Sequence, residues 1–118
     1  MRYVLLIYSE ESTGAPDPAE VEQVMNEYWA YSRAVDEARV SQAGEALEPS
    51  ATATTVRVKD GERVVTDGPF AETREVLGGF YLIDVPDLDA ALDWAARCPG
   101  AKWGSIEVRP VMEFDTSE

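Results

Sequence analysis

Histidine is absent from the 118 residues and cysteine occurs once, at Cys98. These counts remove the commonest general base, the Ser-His-Asp and Cys-His nucleophile systems, and any structural zinc site. No calcium-loop spacing of acids is present either, so neither a metal nor a cofactor is expected. Chemistry is left to carboxylates, tyrosines, arginines and backbone amides. Polar groups become abruptly dense at Asp67, Glu72, Thr73, Arg74 and Glu75, between two strand-like segments. A loop held between rigid strands is a place where binding groups tend to sit. Asp67 is the candidate catalytic residue: as a base it would need burial to lift its pKa well above the ordinary carboxylate range. The competing reading of Asp67-Gly68-Pro69 is a structural turn, in which Asp accepts backbone N–H bonds, Gly supplies an unusual φ and Pro fixes the next dihedral.

Glu45 stands among small and apolar residues, Ala43-Gly44-Glu45-Ala46-Leu47. On the inward face of a strand it would need a partner, with Arg57 and Arg109 as candidates; pointing to solvent, it needs none. Tyr28, with Trp29 and Tyr31, is placed to line a pocket or to pack as core and dimer contacts. The candidate ligand-binding set is Glu45, Tyr28, Arg57, Arg109 and Phe70. Cys98 follows a predicted helix, and the helix dipole disfavours a thiolate there. Gly78-Gly79 precedes a strand rather than a helix, so it is no phosphate cradle.

The elements that must position these residues follow from periodicity. Arg2 to Tyr8 is a nearly all-apolar strand, and Ser9 to Pro16 a loop. Asp17-Pro18-Ala19-Glu20 opens a helix running to about Arg39, with Val21, Val24, Met25, Tyr28, Val35 and Ala38 at helical spacing. Gln42 to Glu48 is a short strand closed by Pro49. Thr54 to Lys59 and Glu62 to Thr66 form a hairpin around Asp60-Gly61. Asp67 to Glu75 is a turn-rich connection, and Gly78-Gly79 leads into the strand Phe80 to Val85. Asp87 caps a second helix whose buried stripe is Leu88, Ala91, Leu92 and Ala95, ended by Pro99-Gly100. A last strand runs from Ser105 to about Arg109, and the tail from Asp115 is expected to fray.

This order predicts one α+β domain over residues 1–118, a ferredoxin-like split βαβ with an inserted β-hairpin. Two helices cover one face of its sheet, yet the first strand and Phe80 to Ile83 are apolar on both. A second copy of the chain is the expected cover. Ten basic against 23 acidic side chains give a net charge of −13, which repels nucleic-acid phosphate and anionic lipid. The apolar runs are too short to cross a bilayer, and the lone cysteine without a signal-like N-terminus points to the cytoplasm.

The run Val65-Thr66-Asp67-Gly68-Pro69-Phe70-Ala71-Glu72-Thr73-Arg74-Glu75 resembles the motif of the DGPF proteins, a branch of the YCII-related family. Tyr3 to Tyr8, Gly44 to Leu47, Ala53 to Val58, Gly78 to Tyr81 and Val108 to Val111 agree with it, so the resemblance spans nearly the whole chain. It implies a ferredoxin-like fold paired into a dimeric α/β barrel. Some members of the family are thought to use a His-Asp pair, and relatives of the barrel process small ring-derived acids. Asp36 resembles the family's aspartate, but its histidine partner would fall near Glu27 or Tyr28, so the pair cannot be carried over. The expected function is a small-molecule-binding or lyase/isomerase-like protein, its pocket lined by carboxylates and containing Asp67, Glu45 and Arg109. Similarity to domains found in the context of extracytoplasmic-function sigma factors implies the alternative, a non-catalytic regulatory module. A bare structural dimer without a pocket is the third reading.

Overall fold

The computed structural model describes residues 1–11 and 17–114; most of the predicted loop before Asp17, and the tail from Asp115, lie outside the described residues. Strand β1 (Arg2–Ser9) is followed by helix α1 (Pro18–Glu37) and strand β2 (Ser41–Ala46). A hairpin of β3 (Thr54–Lys59) and β4 (Glu62–Asp67) comes next, then β5 (Val76–Asp84), helix α2 (Leu88–Arg97), a 3-10 turn (Pro99–Lys102) and β6 (Ser105–Pro110). The four long-range strands form one antiparallel sheet in the order β2-β5-β1-β6. Setting the hairpin aside, that is a β-α-β-β-α-β chain compatible with a ferredoxin-like fold.

Local chemistry explains most of the boundaries. The Asp17 carboxylate accepts from the Ala19 amide at 3.0 Å, and Pro18 takes the first helical position. Asp87 caps α2 by accepting from the Ala90 amide at 2.9 Å. Asp60 and Gly61 both have positive φ, 52° and 79°, as a tight two-residue hairpin turn requires. Two boundaries differ from the sequence expectation. Helix α1 ends at Glu37, and Arg39 has a positive φ of 60°. Strand β5 begins at Val76, so Gly78 and Gly79 lie inside it rather than before it. A Cβ at Gly79 would stand 2.8 Å from the Glu45 carbonyl oxygen. The missing side chain is what lets β2 pair here, so a glycine placed before the strand by the sequence reading is needed within it.

The core is one-sided. Tyr3 and Leu5 of β1, Ile83 of β5, Tyr31 and Val35 of α1, and Ala91 and Ala95 of α2 are buried together with Val85 and Cys98. The predicted α2 stripe is corrected: Leu88 and Leu92 are exposed, and only the two alanines are buried. A ten-residue helix seated on the sheet through alanines leaves the leucines on its flanks. On the other sheet face the register places Val4 beside Leu82 and Leu6 beside Phe80. Glu45 lies opposite Phe80 on the outer side, and Glu107 opposite Leu6. Directly paired residues share a face, so this face carries an apolar patch with a carboxylate at each end of one row. None of these apolar residues belongs to the core or packs against it.

Among the described residues, strands β3 and β4 pair only with each other, as a separate two-stranded sheet. The hairpin is an arm. The radius of gyration is 16.7 Å, against about 13.5 Å for a compact domain of this length, and the shape is a slab of 53 × 46 × 18 Å.

Candidate functional site

Helix α1 is fastened to the body through its C-terminal half. The Tyr31 hydroxyl donates to the Trp94 carbonyl at 2.7 Å, and the Tyr31 ring meets Tyr81 edge-on at 5.1 Å. Its N-terminal half stands off the sheet, because the strands below it carry Gly44, Ala46 and Gly79 in place of bulky side chains. The result is a cleft of about 590 Å³, within the roughly 300–1,000 Å³ typical of small-molecule sites. Its walls come from α1 residues at helical spacing, Val24, Met25, Tyr28, Trp29 and Ser32, and from Ile7, Tyr81 and Trp103 across the gap. A Lys102–Glu27 ion pair ties the 3-10 turn to α1 beside Trp103.

The polar groups of the cleft are mainly hydroxyls. Ser32 Oγ and the Tyr81 hydroxyl are hydrogen-bonded at 2.7 Å. The Tyr28 hydroxyl accepts from the Cys98 thiol at 4.0 Å and presses on Gly100, where a Cβ would come within 2.7 Å of it. Burial pushes the Tyr28, Tyr31 and Tyr81 hydroxyls above their ordinary value, with smaller contributions from neighbouring charges. For Tyr81 the Ser32 hydrogen bond partly opposes this, and Asp36 adds a small upward push. Such groups stay neutral at ordinary pH: they donate and accept hydrogen bonds but do not act as bases. Burial also raises the Cys98 pKa, so its thiol stays protonated and unreactive.

The predicted site residues separate into two places. Tyr28 and Glu45 line the cleft. Glu45 lies opposite Phe80, on the sheet face away from α1, so strand alternation brings it to the cleft through its main chain. Asp67, Arg57 and Phe70 are exposed on or beside the arm, and Arg109 lies on the open sheet face opposite Val4. None of these four lines the cleft. Asp67 pairs with Thr54 at the foot of the arm. The next residue, Gly68, has a φ of 95°, donates its amide to the Ala53 carbonyl at 2.7 Å and accepts from Thr55 Oγ1 at 2.8 Å. Of the polar cluster beyond it, Arg74 pairs with Glu10, and Glu75 accepts from Ser105 Oγ at 3.1 Å. Asp36 is exposed and outside the cleft lining.

Sequence reasoning missed Ser32, Tyr81, Trp103 and the glycine floor. The Tyr28–Ser32 spacing of four was a usable signal, since it puts both on one helix face. Gly44 and Gly79 meet only through the β2–β5 register, which no local pattern announces.

The YCII-related domain model matches residues 1–115. An uncharacterised protein of Rhizobium meliloti (strain 1021) is 44% identical over 121 residues, covering 100% of this chain and 98% of its own length. On the strength of that family match and of a relative aligned end to end, the chain belongs to the YCII-related domain family.

Proposed function

We propose that this protein binds a small, uncharged, partly aromatic molecule in the cleft under α1. The observation that carries the reading is the cleft's composition: aromatic and aliphatic walls, Tyr28 among them, with the Ser32 and Tyr81 hydroxyls bonded to each other between them. Burial of a flat apolar ligand against Trp29, Met25 and Trp103 supplies affinity, and the hydroxyls orient it. A net charge of −13 opposes an anionic ligand, which argues for a neutral one over the small acids implied by the family resemblance. Any lyase or isomerase step would rest on hydroxyl groups that polarise a carbonyl, since the Glu45 carboxylate lies on the sheet face away from α1. Asp67, Arg57, Arg109 and Phe70 have no place at the ligand in this reading.

The same reading includes assembly as a homodimer. The patch of Val4, Leu6, Phe80 and Leu82 is too apolar to stand in water, and turning two such faces together would give the dimeric α/β barrel. Fluorescence of Trp29 and Trp103 tests the cleft directly: phenol, benzyl alcohol and benzamide are expected to quench or shift it saturably in the parent and not in Tyr28→Ala. Unsaturable, variant-independent changes would count against the site. The regulatory reading draws on the acidic surface, which suits a basic partner. It predicts no saturable binding of any small probe.

A further inference from the structure

The arm formed by β3 and β4 has two unlike faces. The register puts Val56 beside Val65 and Val58 beside Arg63 on one face, with Arg57 beside Val64 and Lys59 beside Glu62 on the other. Val56 and Val65 are each 55% exposed and Val58 is 73% exposed. A lone two-stranded hairpin is at best marginally stable in water, so three valines on one face of this one call for a cover. No element of the chain's own sheet pairs with it.

We infer that the arm is an exchanged arm: its valine face lies on the body of a second copy, over the β2 margin of the open sheet face. Charge complementarity identifies the occupant. Arg63 shares the valine face, directly beside Val58; it is one of only ten basic residues in the chain, and among the described residues it is not ion-paired. The open sheet face offers what this face lacks, an apolar patch with the Glu45 carboxylate at the β2 end of its Phe80–Leu6 row. Strand β2 is exposed along its whole length, an uncovered edge of the kind proteins normally protect. A six-residue arm is about 20 Å long, enough to cross that margin. The Asp67-Gly68-Pro69-Phe70 segment then acquires a role distinct from ligand chemistry. The left-handed Gly68 and its two hydrogen bonds close the foot of the arm and set the direction in which it leaves the body.

This inference rests on the dimeric reading, and the experiment separates the two. Sedimentation equilibrium is run on the parent, on the triple variant Val56→Thr/Val58→Thr/Val65→Thr, and on Val64→Thr from the opposite face. Threonine keeps the shape and strand preference of valine, and far-UV circular dichroism checks that each variant is folded. The expected result is a parent dimer, at least tenfold weaker dimerisation in the triple variant, and no change in Val64→Thr. Trypsin gives a second reading, since cleavage after Arg57, Lys59 and Arg63 should accelerate as the parent is diluted through its dissociation range. A parent dimer whose affinity the triple variant leaves unchanged, or that Val64→Thr weakens equally, overturns the arm while leaving the dimer intact. A parent that is monomeric throughout overturns both.

Discussion

Gly68 and Asp67 are neighbours with different expected sensitivities. A Cβ built on Gly68 would meet nothing within 4 Å, yet its φ is 95°, so Gly68→Ala strains the backbone rather than the packing. The expected cost is about 1 kcal/mol or somewhat more, read as a lower midpoint in urea unfolding. Asp67→Asn keeps the size and hydrogen-bond acceptance of an exposed turn residue. It is expected to leave both the melting temperature and probe binding near the parent's; loss of binding alone would return a carboxylate to the ligand. The tyrosines carry a pH prediction. Tyr28, Tyr31, Tyr81 and Cys98 all have raised pKa values, against ordinary values of 10.0 for tyrosine and 9.0 for cysteine. Their contribution to stability is complete below those ordinary values and is lost above them, because the unfolded chain then gives up protons that the folded chain retains. Melting temperature should therefore fall as pH rises from about 9 to 11, with tyrosinate absorbance at Tyr28, Tyr31 and Tyr81 appearing only on unfolding. Their titration within the folded protein at the ordinary midpoint would contradict this.

Gly79 shows at the scale of elements how one residue shapes the site. Gly79→Ala would drive a Cβ against the Glu45 carbonyl, pushing β2 off β5 at the cleft floor. The expected outcome is a loss of about 1–3 kcal/mol together with weaker probe binding; binding at parental strength would show that the floor does not matter. Elements with strong local signals were legible from sequence. The hairpin turn is written in Asp60-Gly61, and both helix starts are written in Asp17-Pro18 and Asp87, because turn and cap chemistry act over two or three residues. The start of β5 was hidden for the opposite reason: two glycines carry no local strand signal, and their purpose appears only when β2 lies alongside. The exposure of Leu88 and Leu92 was hidden likewise, since periodicity fixes a helix face but not how widely the sheet covers it. The place of Tyr28 on the cleft wall follows from its helical spacing in α1, whereas Ser32 and Tyr81 needed the tertiary fold to bring them together.

A slab with its core on one side, an apolar patch on the other and a self-paired arm is what the proposed dimer would complete. Burying the Val4, Leu6, Phe80 and Leu82 patch contributes roughly 25 cal/mol per Å² of apolar surface. Phe80→Glu, which puts a charge at its centre, is expected to give folded monomers by light scattering; a variant as dimeric as the parent would place the interface elsewhere. In the proposed dimer the cleft under α1 would remain on the outer side of each sheet, so the proposed ligand site and assembly face would be separate surfaces. The central claim is that this cleft, and not the acidic loop beyond β4, is where the protein meets a small molecule. Its most direct test is amide chemical-shift mapping during titration with a set of uncharged aromatic fragments. The account predicts saturable shifts concentrated at Tyr28, Ser32, Gly44, Gly79 and Trp103; shifts centred on Asp67 to Glu75, with the cleft silent, would contradict it.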